Sequence, residues 1–268
     1  MISDQSGYYK QVGSYYDKDA MNFESRYQEN PILQKIRTSF RQEANKYARG
    51  NILEIGYGPG LDLLYFAENH PTSHVYGIDI SQGMYDCAYT NIAKRKLGNI
   101  KIQVGSVEDI ATLFPGKKFD FVYVFFGALN TVEDLNKAAQ LLENVLAENG
   151  VLLVTFVNKW YVKGLLAPLL KLRFKTATAR LRKIWGGYSP SVFLPSKCYS
   201  IHQVRHAFNR FQIQTIRGYS ILYPAWYDSY KYPNNEKLER LWKWDERISK
   251  SAAKGWGEYS LFVFRKLP

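Results

Sequence analysis

The chain has 268 residues, 46% of them hydrophobic and 16% aromatic, enough apolar side chain for one large core or a core with a lid, and this excludes a disordered chain. Its two cysteines, Cys87 and Cys198, are too few for a disulfide framework or a cysteine zinc site, and no run approaches the ~18 uninterrupted apolar residues of a membrane span. The net charge of +12 is concentrated: twelve Lys and Arg lie between Glu148 and Asp228 with no acid among them, and the other 24 basic residues match the 24 acids.

The opening "MISDQSGYYK" is polar and lacks an apolar signal core, so a cytoplasmic chain is expected. Residues 1–50 read as one or two capping helices, with Pro31 placed to open a helix after Asn30. Strand-length apolar runs follow at 51–55, at "HVYGID" closing on Asp79, at "IKIQVG" closing on Gly105, and at "FDFVYVFF" and "GVLLVTFV". Helix-length stretches separate them, "VEDLNKAAQLLENVLAEN" being the clearest. Continuous apolar runs mark strands buried on both faces, which predicts a parallel sheet with helices on either side. Residues 159–199 interrupt the alternation. Beyond them "IHQVRHAFNR" reads as a helix, "FQIQTIRG" as a strand, "NEKLERLWKWDERISK" as a helix and "EYSLFVFRK" as a last strand.

The stretch "NILEIGYGPGLD", residues 51–62, joins the first strand to a glycine-rich turn. In a dinucleotide-binding turn the third glycine falls three residues after the second, where this chain has Leu61, and the helix start attracts pyrophosphate. Here the last glycine is Gly60, and Glu54 and Asp62 flank the turn, so a cationic ligand is favoured over an anionic one.

An acid, one residue and then Gly-x-Gly-x-Gly resembles the first motif of the class I S-adenosylmethionine-dependent methyltransferases, with Glu54, Gly56, Gly58 and Gly60 in those places. The resemblance implies a Rossmann-like, doubly wound α/β fold: a mostly parallel seven-stranded sheet with an antiparallel last strand, N-terminal helices and a helical lid. On this chain those parts map to 1–50 for the helices, 51–158 with 200–268 for the sheet domain, and 159–199 for a basic lid. It implies S-adenosylmethionine as cofactor, S-adenosylhomocysteine as product, and no metal. Asp79 is then expected to accept hydrogen bonds from the ribose hydroxyls, Met84 to pack on adenine, and Glu54 to hold the methionyl amino group, directly or through water. Tyr57 and Ile80 would lie beside the cofactor, and "FDFVYVFFGALN" would bring Phe125 and Phe126 to the transferred methyl. The adenine edge would meet Ser106, Val107 and Glu108; many relatives carry aspartate where this chain has Ser106. From "GSYYDKDAMNFESRY", Tyr16, Asp17 and Tyr27 are expected to fold over the pocket.

Methyl transfer is an in-line displacement at a carbon already activated by its sulfonium, so proximity supplies most of the acceleration and a base is needed only for a protonated acceptor. No base is evident. His202 and His206 share a helix face, but "HQVRH" lacks a zincin glutamate and a third ligand. "FFGALN" lacks the Asp/Asn-Pro-Pro-aromatic tetrad of enzymes acting on base amines, and neither cysteine follows a proline, so DNA is not expected as an acceptor. The basic stretch admits three readings: a solvated helix face, an anion-attracting substrate mouth, or docking on RNA or an anionic membrane. The expected acceptor is a small molecule or peptide, methylated at oxygen, most simply a carboxylate giving a methyl ester. Tyr16, Tyr27, Asn130, Asn158, Arg173, Arg180, Arg182, Tyr223 and Trp226 are the candidates to hold it, with Tyr227 beside them. An N-methyltransferase, an RNA-directed methyltransferase and a non-catalytic cofactor-binding scaffold are the alternatives.

Overall fold

A computed structural model describes residues 7–189, 192–232 and 235–267. Two helices lead. α1 spans Gly7–Gln28 and α2 spans Pro31–Ala44; Asn30 caps α2 by accepting from the Leu33 amide, and Pro31 opens it. The apolar residues of α2, Ile32, Leu33, Ile36, Phe40 and Ala44, recur at helical spacing and are all buried, Leu33 on a cavity wall and the others in the core against the sheet. The alternation then runs β1 (Asn51–Ile55), α3 (Leu61–Asn69), β2 (His74–Asp79), α4 (Gln82–Arg95), β3 (Ile100–Val104), α5 (Ile110–Leu113), β4 (Phe119–Val124), α6 (Leu135–Val145) and β5 (Leu146–Val157). The remainder holds α7 (Val162–Leu170), α8 (Phe174–Ala177), α9 (Ile201–Ala207), β6 (Phe211–Tyr219), α10 (Asn235–Ile248) and β7 (Tyr259–Lys266).

Among the described residues the strands form one seven-stranded sheet in the order β3-β2-β1-β4-β5-β7-β6. β1 to β5 pair in parallel, while β7 runs antiparallel to both β5 and β6. This is the Rossmann-like α/β architecture the sequence implies, with its antiparallel last strand. Alternate residues of each strand feed two cores. Leu53, Val122, Val154 and Phe264 pack under α6 and α9, and Ile52, Phe121, Leu153 and Val263 under α2, α3 and α10. The strand order reverses between β1 and β4, so the loops at the carboxyl ends of β1, β2 and β4 open a crevice there.

Two boundaries differ from the sequence reading. The helix read over 132–149 stops at Val145, because Asn149 takes a left-handed φ of 58° before Gly150 and the chain turns into β5 early. Leu146 already pairs with Phe119, and the register shifts before Val151 meets Phe121. The helix read over 201–210 closes at Ala207, where the buried Phe208 ends it by donating its amide to Val204. The tyrosine-rich stretch after β6 contains a short 3-10 turn, Trp226–Lys231, and is pinned by buried Asp245, which accepts from the amides of Ser220 (3.0 Å), Leu222 (2.5 Å) and Tyr223 (2.9 Å).

Candidate functional site

The turn after β1 needs its glycines for different reasons. Gly56 has φ 74°, and a Cβ there would lie 2.6 Å from that of Ala128. Gly58 has φ 55°, and a Cβ would meet nothing nearer than the Phe23 ring at 3.9 Å, on the side that faces the crevice. At the end of β2, the Asp79 carboxylate accepts from the amides of Gly58 (2.8 Å) and Ser81 (3.0 Å), tying the two crossover loops together. Burial pushes its pKa up to about 6 against the opposing effect of those amides.

A cavity of about 230 Å³ lies over this turn, lined at one end by Gly56, Gly58, Asp79, Ile80, Met84, Ser106 and Val107. α1 forms its roof. Asp17 Oδ1 accepts from Ser81 Oγ (2.6 Å) and the Gly83 amide (2.9 Å), and the Tyr9 hydroxyl donates to Glu108 (3.1 Å). Tyr16 and Phe23 face inward from the same helix, while Phe125 and Phe126 close the floor after β4.

The acids flanking the glycine turn are both buried and partnered within the chain. Asp62 is buried between two arginines, bonded to Arg37 and, at 2.6 Å, to Arg41, so its charge is matched and it exerts little pull on a cationic ligand. Glu54 sits behind the turn rather than on the cavity wall, 1% exposed, and accepts from the Tyr123 hydroxyl (2.8 Å). Burial first, then the charge of Asp62, raises its pKa well above the usual carboxylate range.

The far end of the cavity is aromatic. Trp185 and Tyr188 meet edge-on at 4.6 Å, Tyr188 and Trp226 at 5.2 Å, and Tyr259 joins them from β7. Behind this wall Glu258 is fully buried; it accepts from the Tyr188 hydroxyl (2.5 Å), from the Tyr227 hydroxyl (3.3 Å) and from Arg180 Nη2 at both oxygens (2.8 and 2.9 Å).

The candidate residues separate accordingly. Tyr16, Gly56, Gly58, Asp79, Ile80, Met84, Ser106, Val107, Phe125, Phe126, Asn130 and Trp226 line the cavity; Glu54, Tyr57, Gly60 and Glu108 stand outside its wall. The Tyr57 hydroxyl donates to the Gln103 carbonyl, Gly60 opens α3, and Glu108 pairs with Lys137. On the acceptor side the basic segment does not supply an anion mouth. Arg173 and Arg182 are exposed and do not line the cavity, and Arg180 is consumed by Glu258. Asn158 spends its amide on the carbonyls of Gly255 and Gly257, Tyr223 packs on Trp242, and Tyr27 stacks over the Arg37 guanidinium. Asn130 reaches the wall, yet its side chain is bonded to the backbone of Val157 and Lys197. His202 and His206 are exposed on α9, and among the described residues no cluster of His, Cys, Asp or Glu is arranged to hold a metal.

Several wall residues were not legible in advance. Arg37 lies on the apolar face of α2, where a charged residue among Leu33, Ile36 and Phe40 was the available signal. It lines the cavity between the Tyr27 and Phe126 rings, and its Nε is buried without a partner. Tyr188 and Tyr259 carry no local sequence signature; only the hydrogen bonds of the Tyr188 hydroxyl to Glu258 and Tyr259 at the start of β7 bring them together.

The reversed-order parallel sheet with an antiparallel final strand, the glycine turn after β1 and the carboxylate ending β2 are the features of the class I S-adenosylmethionine-dependent methyltransferase fold. Residues 52–150 match the family model described as "Methyltransferase domain", and the chain carries that domain. An uncharacterized Methanocaldococcus jannaschii protein is 26% identical over 96% of this chain and 91% of its own length. Among solved structures, the [4+2]-cyclase SpnF matches with a TM-score of 0.67 at 17% identity, covering 97% of both chains. The geranyl diphosphate C-methyltransferase of Streptomyces coelicolor, solved with Mg2+, geranyl diphosphate and S-adenosyl-L-homocysteine, matches with a TM-score of 0.61 at 12% identity over the whole of both chains. At these identities the likeness is one of fold. No helix among the described residues is long and apolar enough to cross a membrane.

Proposed function

We propose that the chain methylates a hydroxyl oxygen on a small acceptor with an apolar body, seated among Trp185, Tyr188, Trp226 and Tyr259. The observation that carries this reading is the Tyr188 hydroxyl, on an aromatic wall and 2.5 Å from the buried carboxylate of Glu258. The cofactor's sulfonium supplies an activated methyl when bound; the chain aligns the acceptor with it and handles one proton. Gly56 and Gly58 leave room for close backbone approach, Asp79 accepts the ribose hydroxyls, Met84 and Val107 flank the adenine, and α1 excludes water. Burial, and then Glu258, keep the Tyr188 phenol protonated, so it is not a free base. It takes the acceptor proton as it passes its own to Glu258, a relay that leaves its charge unchanged. The basic segment lends an anionic carboxylate acceptor no support, because Arg173 and Arg182 lie away from the cavity and Arg180 is paired with Glu258.

Tyr188→Phe removes the relay and keeps the ring. With methyl-labelled cofactor and a cell extract, it is expected to cut label in organic-extractable methyl ethers by roughly 10²-fold or more, with cofactor affinity unchanged. Unaltered turnover in this variant, or label recovered as an N-methyl amine, a methyl ester or methylated RNA, would overturn the proposal.

Cofactor affinity should also weaken as pH falls through about 6, because protonated Asp79 no longer accepts from both ribose hydroxyls. Titration calorimetry across that range checks it; a flat profile would remove Asp79 from the site. For the unliganded chain the linkage runs the other way. The Asp79 pKa is raised from 3.8 to about 6, so its stabilising contribution is greatest below that interval and is lost as pH rises through it.

A further inference from the structure

The tip joining α7 to α8 has a surface that folding does not explain. Residues 170–176 are all exposed, and Leu170, Lys171, Leu172, Arg173, Phe174 and Lys175 alternate apolar and basic side chains. Leu170 is 86% exposed, Leu172 76% and Phe174 60%. α7 itself has no buried residue. Leu172 moreover adopts a left-handed φ of 55°, a strained conformation for leucine that glycine or asparagine would take at less cost. The fold therefore spends backbone strain to present an aliphatic side chain to water.

We infer that this tip docks on the surface of an anionic phospholipid membrane. Leucine and phenylalanine enter the boundary between headgroups and acyl chains, and the interleaved cations remain at the phosphates. Among the described residues no ion pair joins Lys171, Arg173 or Lys175 to an acid, so these three charges are left to attract the phosphates. α7, nine residues and so roughly 14 Å long, is about half the hydrocarbon thickness and would lie along the interface rather than span it. RNA would use the cations and leave Leu170 and Leu172 in water. A second copy pairing tip to tip would set like charges against each other. The inference is independent of the acceptor chemistry proposed above.

The test is co-sedimentation of the full chain with vesicles of phosphatidylcholine alone and of phosphatidylcholine mixed with phosphatidylglycerol. Binding to the mixed vesicles is expected to be at least about tenfold tighter and to weaken with added salt. Leu170→Glu with Leu172→Glu should lower it by at least about tenfold again. Leu172→Asn separates docking from folding: it suits the left-handed backbone, so its melting temperature should hold or rise while vesicle binding weakens. Equal binding to the two vesicle types, unchanged binding of the double variant, tighter binding to single-stranded RNA than to the mixed vesicles, or a self-association abolished by the double variant would each overturn the inference.

Discussion

Arg180→Ala is expected to cost about 3–5 kcal/mol of folding stability, because it strands a carboxylate in the interior. Glu258 has no exposed surface, and Arg180 supplies its charge balance from a position that is itself 8% exposed. The guanidinium also donates to the Asn158 carbonyl (3.2 Å) and lies 4.8 Å from the Trp185 ring and 5.1 Å from that of Tyr161. Truncation leaves Glu258 with the hydroxyls of Tyr188 and Tyr227 alone, too little to offset the desolvation of a full charge. Denaturant melts should show the midpoint shift with an unchanged slope. Arg173→Ala and Arg182→Ala, on the exposed part of the same segment, should fall within about 0.5 kcal/mol of the parent protein. An Arg180→Ala melt within that same margin would show that the pair does not hold the aromatic wall.

Gly58→Val is expected to abolish cofactor binding in a titration while the fold survives. Valine at a φ of 55° pays backbone strain of roughly 1–2 kcal/mol, well short of global unfolding. Its side chain would project past the Phe23 ring into the space between the turn and α1, where close backbone approach is required. The choice of position matters. A Cβ at Gly56 collides with Ala128 at 2.6 Å, so loss of binding there would be confounded by loss of packing. Retained binding in Gly58→Val, with a normal melt, would place the cofactor away from this turn.

The sheet was legible because strands buried on both faces are written as unbroken apolar runs, and each run from 51–55 onward became a strand. The glycine-turn end of the cavity was legible for a related reason: Gly56, Gly58 and Asp79 lie within one turn and one strand end, so sequence spacing records their geometry. At the aromatic end only Trp226 was read in advance: Tyr188 and Tyr259 come from two other stretches, and nothing near either indicates that it shares this wall. The reading of charge along the chain was incomplete for the same cause. Arg180, Arg210 and Arg217 have no acid among their chain neighbours, yet each finds one across the fold, in Glu258, Glu143 and Glu43. Segregation along the chain concealed pairing in space.

The place of β7 also imposes an order in time. It is the last of the described strands to be synthesised, yet it lies between β5 and β6 and hydrogen-bonds to both. A growing chain that has made residue 219 but not residue 259 therefore holds two strand edges that cannot pair with each other in the native register, and such open edges invite association with other chains. Glu258, the counter-charge of Arg180, and Tyr259, the last aromatic of the far wall, emerge together at the start of that strand. The glycine turn at one end of the cavity can be complete well before synthesis ends, but the aromatic far wall closes only when the wedge strand arrives.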